Sequence, residues 1–220
     1  MLPAFDHILI EVPDLEAATA EYSQLLPNPI AGSFVLGNVH IRLRQVDDLT
    51  HPRIAGLALL DPELANGASA PLSGGPRNIP ISRAHNREPE YRQPLTTTGI
   101  YAVDHLVLQS GDADACIELF RDQLGLRLAL DQQVPEWGGR MLFFRHGKMT
   151  LEIIHNLEEP PARDFFWGIT YLCHDIDTTL ASLDVAGVTH SPVRSGRKPG
   201  TRVSTLKSHC LGLPTLLIST

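Results

Sequence analysis

Two stretches of this chain begin alike. FDHILIEVPDLEAA, Phe5 to Ala18, and VDHLVLQSGDADAC, Val103 to Cys116, each put an Asp-His pair at the head of an alternating apolar run. Each run then gives way to an acidic residue and helical spacing. His7 and His105 stand 98 positions apart (105 − 7), so the pattern points to an internal duplication of a strand-helix unit.

The second copy is the clearer. In AVDHLVLQS, Leu106 and Leu108 point to one face while His105, Val107 and Gln109 point to the other. Asp112 is placed to cap a helix carrying Cys116, Ile117, Phe120 and Leu124 at helical spacing, with Gly125 at its C-cap. LRLALDQ, RMLFFR and MTLEIIH follow as strands, the last two joined by a tight turn at Gly147. FFWGITYLC then opens a further unit, with a helix capped at Asp175 and closed near Gly187, and short strands in THSPVR, TRVSTL and PTLLIS. Residues 99–220 thus read as two β-α-β-β-β modules.

Residues 1–98 read as an abbreviated pair. FDHILIEV is a strand, DLEAATAEYSQLL a helix ended by Pro27 and Pro29, and SFVL turns at Gly37-Asn38 into VHIRLRQ. RIAGLALL resembles another first strand. Asp61 to Thr98, with six prolines and little periodicity, is expected to be irregular and partly a linker.

Composition sets outer bounds. A net charge of −7 argues against nucleic acid or an anionic membrane as the main partner. No basic, apolar leader opens the chain, and no apolar run approaches the roughly 20 residues of a membrane helix. Cys116, Cys173 and Cys210, an odd number with no CxxC spacing, read as core residues of a reducing compartment, so a cytoplasmic protein is expected. No nucleophile elbow, P-loop or dinucleotide fingerprint is present.

The motifs FDHILIEVPDLEAA, VDHLVLQSGDADACIELFRDQLGLRL, HGKMTLEII and GITYLCHDIDTTLASLDVAGV, in this order and spacing, resemble the vicinal oxygen chelate superfamily of glyoxalases, bleomycin-resistance proteins and extradiol dioxygenases. The resemblance implies an α+β fold of tandem β-α-β-β-β modules forming half-open sheets around a cavity. It also implies a divalent metal there, Fe, Mn, Ni or Zn, which chelates a small molecule through adjacent oxygens. A homodimer is compatible with such incomplete barrels. By the same resemblance, His105 takes a first-strand ligand position and Glu152 a last-strand one. Gly168 and Leu216 stand where the fourth module would carry a His and a Glu. In the first half His7 matches, but Arg42 replaces the acid and Gly56 lies near the remaining position.

Two functions compete on that count. The first, a metal-dependent enzyme, is the expected one because the retained His105–Glu152 pair sits in the best-formed module; the second is the alternative. A metal at His105 and Glu152 would act as a Lewis acid for isomerase, lyase or ring-cleaving dioxygenase chemistry, with Glu152 moving a proton. A metal-free binding protein of the resistance type would use Glu152, Gln109 and His105 as hydrogen-bonding groups, with Gly168 and Leu216 leaving apolar space. A salt bridge to Arg140 or Arg145 is the purely structural alternative for Glu152. The other cavity candidates are His7 and Arg42, Trp137 in PEWGGR as an aromatic wall, and His209 near the cavity rim. The basic loop RSGRKPGTR, Arg194 to Arg202, is a candidate cavity edge that attracts an anion.

Overall fold

The computed structural model describes residues 4–30, 32–72, 77–85 and 98–220. Among them the chain forms two open, mixed sheets with three short α-helices, an α+β architecture. The strands are β1 (Phe5–Val12), β2 (Ser33–Val35), β3 (His40–Gln45), β4 (Arg53–Leu60), β5 (Ser69–Pro71), β6 (Ile81–Ala84), β7 (Ile100–Gln109), β8 (Arg127–Val134), β9 (Gly139–His146), β10 (Met149–Asn156), β11 (Phe165–Cys173), β12 (Arg194–Ser195), β13 (Arg202–Leu206) and β14 (Thr215–Ser219). The helices are α1 (Leu15–Tyr22), α2 (Ala113–Ile117) and α3 (Ile176–Val185).

The sheet orders expose the duplication. The first sheet runs β2-β3-β1-β4-β6-β5, and the second runs β12-β13-β14-β11-β7-β10-β9-β8. In each, two first strands lie antiparallel at the centre, β1 with β4 and β7 with β11, flanked by their parallel last strands. The N-terminal sheet is the same plan shortened, and neither sheet closes into a barrel.

Local chemistry sets the helix starts. Asp14, Asp112 and Asp175 each accept a bond from the backbone N–H three residues on, at 3.0, 3.0 and 2.7 Å. Such a cap stabilises a helix by about 1 kcal/mol. Helix α1 stops at Tyr22, short of the prolines, because Leu25 and Leu26 both turn back onto the Tyr22 carbonyl. After α2 the chain widens into a π-helical turn, Glu118–Gln123, where Leu124 N–H reaches the Leu119 carbonyl. That widening lets the adjacent Leu119 and Phe120 both reach the core.

One face of the C-terminal sheet, with Leu106, Leu108, Leu151 and Ile153, is fully buried; α2 packs on β9 and β10, and α3 on β13 and β14. Each such side chain contributes about 1.5–3 kcal/mol of burial. The opposite face carries His105, Val107 and Glu152. Alternation and hydrogen-bond register together fix which residues face away from the helices.

The expected irregular stretch 61–98 is in part ordered. Strands β5 and β6 pair antiparallel, and β6 adds parallel to β4. They are too short and too mixed in composition to announce themselves as strands. Residues 73–76 and 86–97 of that stretch lie outside the described residues.

Candidate functional site

The strand register lays the open face of the C-terminal sheet out in cross-strand rows. One row runs Phe143, Glu152, Val107, Gly168 across β9, β10, β7 and β11. The next runs Arg145, Thr150, His105, Thr170, Leu216, ending on β14. His105 and Glu152 are therefore diagonal neighbours on adjacent strands, and Nε2 of His105 lies 3.4 Å from Oε2 of Glu152.

The face is a trough. Arg197, in the loop between β12 and β13, donates to the Met141 sulfur on β9 at 3.4 Å. In a flat sheet, β13 and β9, five strand spacings apart in the order, would be about 24 Å apart. That is beyond an arginine's reach, so the sheet curls and the 196–201 loop overhangs the trough. Phe143 and Leu216 on its floor are half-buried rather than enclosed.

Each Asp-His pair closes on itself. Asp104 Oδ2 lies 2.8 Å from His105 Nδ1, and Asp6 Oδ1 lies 2.6 Å from His7 Nδ1. Nδ1 of His105 faces the aspartate, and the Thr170 hydroxyl lies 2.9 Å from its Nε2. Glu152 is only 8% exposed. Burial pushes its carboxyl above the ordinary range, partly offset by the nearby charges of His105 and Arg197 and reinforced by Asp104. Glu152 makes no salt bridge to Arg140 or Arg145. Arg140 points to the helix side, where Asp131 and Asp114 hold it, and Arg145 stands opposite Thr150.

The other candidates fall in several places. Gln109 lies on the trough face, opposite Phe165. His7 and Arg42 lie on the N-terminal sheet; Arg42 stands opposite Leu9 as Glu152 stands opposite Val107, and its Nε donates to Ser33 at 3.2 Å. His209 lines an open cleft formed by Glu21 and Gln24 of the α1 segment with Ser208 and Gly212. Trp137 ends a 3-10 turn, Pro135–Trp137, and its side chain lies outside what the structure describes.

Thr170 and Arg197 join the site without having been singled out as individual residues. Thr170 sits two residues past Gly168, on the same face, but bulges on both sides of it make its register with His105 unreadable from sequence alone.

Gly168 and Leu216 hold the two positions where the resemblance implies further ligands. Gly168 lies opposite Val107, and Leu216 opposite Thr170, two residues further along β11. A Cβ added at Gly168 would lie 2.7 Å from the Pro214 carbonyl oxygen, which already accepts the Ile169 N–H at 3.0 Å. The N-terminal half repeats this device at Gly56, where an added Cβ would meet the Pro80 carbonyl at 3.0 Å, and that carbonyl accepts the Leu57 N–H. No group of three His, Cys, Asp or Glu side chains that could hold a metal occurs among the described residues. His105 and Glu152 supply two donors where a catalytic metal takes about three, and the Thr170 hydroxyl lies within hydrogen-bond distance of the imidazole Nε2, at 2.9 Å. This donor set does not fit a resident metal.

A half-open mixed sheet built from paired βαβββ units, with its polar residues on the concave face, defines a module of the glyoxalase type. Residues 102–208 match the family model described as the Glyoxalase/Bleomycin resistance protein/Dioxygenase superfamily. Among solved structures the chain is similar to methylmalonyl-CoA epimerase from Mycobacterium tuberculosis, at 19% identity over 57% of this chain and 91% of that chain, with a TM-score of 0.48. It is similar to a Streptomyces coelicolor methylmalonyl-CoA epimerase at 21% identity, covering 55% and 98%, with a TM-score of 0.45. A hypothetical protein from Bacillus halodurans follows at 18% identity, covering 54% and 93%, with a TM-score of 0.45. No curated protein matches the chain in sequence. No helix among the described residues is long and apolar enough to cross a membrane.

Proposed function

We propose that the trough binds a small organic molecule without a resident metal, in the manner of the resistance-type members of the superfamily. Val107, Phe143 and Leu216 form apolar floor, while Glu152, His105 and Gln109 supply hydrogen-bonding groups, the composition expected of a small-molecule site. The observation that carries this reading is the Pro214 carbonyl lying where a side chain at Gly168 would begin. It removes a third ligand position and leaves room over the strand. Glu152 keeps its proton to higher pH than an exposed carboxyl, which shifts it toward donating to a ligand oxygen.

A second reading has one observation in its favour. The 3.4 Å between His105 Nε2 and Glu152 Oε2 is a separation that two donors sharing one ion can take, at about 2.0–2.2 Å each. On that reading the protein is a divalent-metal enzyme of the isomerase, lyase or ring-cleaving class. Metal analysis of protein purified without a polyhistidine tag separates the two, followed by titration with Fe(II), Mn(II), Ni(II) and Zn(II). The expected result is metal far below one equivalent, unchanged in Glu152→Gln. Near-stoichiometric metal that disappears in Glu152→Gln would replace the binding reading with the enzymatic one.

A further inference from the structure

Beyond His105 the same cross-strand row continues into β9 and β8, where Arg145 and Arg127 stand directly opposite one another. Register puts both on the trough side: Arg127 pairs with Arg145, Arg145 with Thr150, and Thr150 with His105. Like charges directly opposite in an antiparallel pair repel. Both are exposed, and neither forms an ion pair among the described residues. Arg140, on the same strand but on the helix face, is held by two aspartates, Asp131 and Asp114. In a chain of net charge −7, the trough face of this edge is a local excess of positive charge.

Resting on the trough as the ligand site, we propose that its ligand carries an oxyanion, a carboxylate or phosphate, which Arg145 and Arg127 hold at the end of the row leading to His105. Paired guanidinium forks match an oxyanion in shape and charge, and an oxyanion between them relieves the repulsion. Arg145 and His105 are two strand spacings apart, about 10 Å between backbones. One aromatic ring fits that interval, with its polar end at His105 and Glu152 and its charged end at the arginines. Arg197 stands over the same trough from the opposite rim and adds to the positive field there.

The test compares two matched pairs of probes at low ionic strength, benzoate with benzamide and phenyl phosphate with phenol. Binding is followed by NMR at the Val107 and Leu216 methyls and at the arginine Nε–H groups. The expected outcome is that at least one anion binds about tenfold more tightly than its neutral partner and shifts the Arg145 resonance. Arg145→Gln and Arg127→Gln should each erase that preference, while Arg121→Gln on the helix side should leave it. If anion and neutral probe bind the trough alike, or the preference survives both substitutions, the oxyanion assignment is overturned and the binding trough stands. If no probe shifts any trough resonance at tens of millimolar, both fall.

Discussion

Glu152 is a carboxyl enclosed by the floor of a trough, and its environment sets a sign that can be measured. Burial raises its pKa, and His105 and Arg197 only partly offset that. In the interval between the ordinary carboxylate pKa and the raised one, the folded protein therefore binds more protons at this site than the unfolded chain does. Stability from this group is full at low pH and is lost as pH rises through that interval, because the charged form is disfavoured only in the fold. Glu152→Gln removes the titration. The variant should gain stability relative to wild type as pH climbs from about 4 to 7, and the gain should vanish on the acidic side. Melting temperatures of both proteins across that range check it; a variant that loses ground as pH rises would mean that the carboxylate, not the acid, is the favoured form here.

The residue scale also indicates what a sequence can carry. The Asp-His pairs, Glu152 and its Arg42 counterpart were legible because each occupies a fixed offset within one strand. Thr170 was not, since its place beside His105 depends on two bulges between β11 and β7. Arg197 was legible only as part of a basic loop, because its reach to Met141 exists once the sheet has curled.

Elements carry the duplication more faithfully than side chains do. Both central strand pairs place a glycine, Gly56 or Gly168, against the carbonyl of a proline that precedes a last strand. The backbones come close at that point, and the approach leaves little room there for a side chain. Gly168→Ala must push β14 away from β11 or bend both, with about 1–3 kcal/mol lost. Gly56→Ala, with 3.0 Å to Pro80 rather than 2.7 Å, should cost less. Urea unfolding of the two variants orders them, and equal, negligible losses would show that the strands yield freely and that the position is open to a ligand after all. The long strands β7, β10 and β11 could be read from alternation. Strands β5 and β6 could not, because three or four residues of mixed Ser, Ala, Arg, Ile and Pro hold no period, and it is pairing with β4 that makes them strands.

At the scale of the molecule the two sheets share one continuous hydrophobic core, from Phe5 and Ile8 through Tyr22 to Tyr171 and Leu217. Polar ties reinforce it. Asn38, in the β2–β3 turn, bonds both backbone groups of Val103 and the Lys148 carbonyl. Arg77 of the N-terminal half lies 2.6 Å from Asp164, whose side chain is fully enclosed and also accepts from Ser110 and the Gly111 N–H. Arg77→Ala leaves that carboxylate buried without its cation, a loss of about 3–5 kcal/mol, with the low end favoured because two donors remain. Adding Asp164→Asn removes the stranded charge and should restore part of the loss. Because the core is shared, calorimetry should find one transition in wild type and in both variants, moved down as a whole by Arg77→Ala. Two transitions, with only one displaced, would mean that the sheets melt independently and that the trough is stable without the N-terminal half beside it.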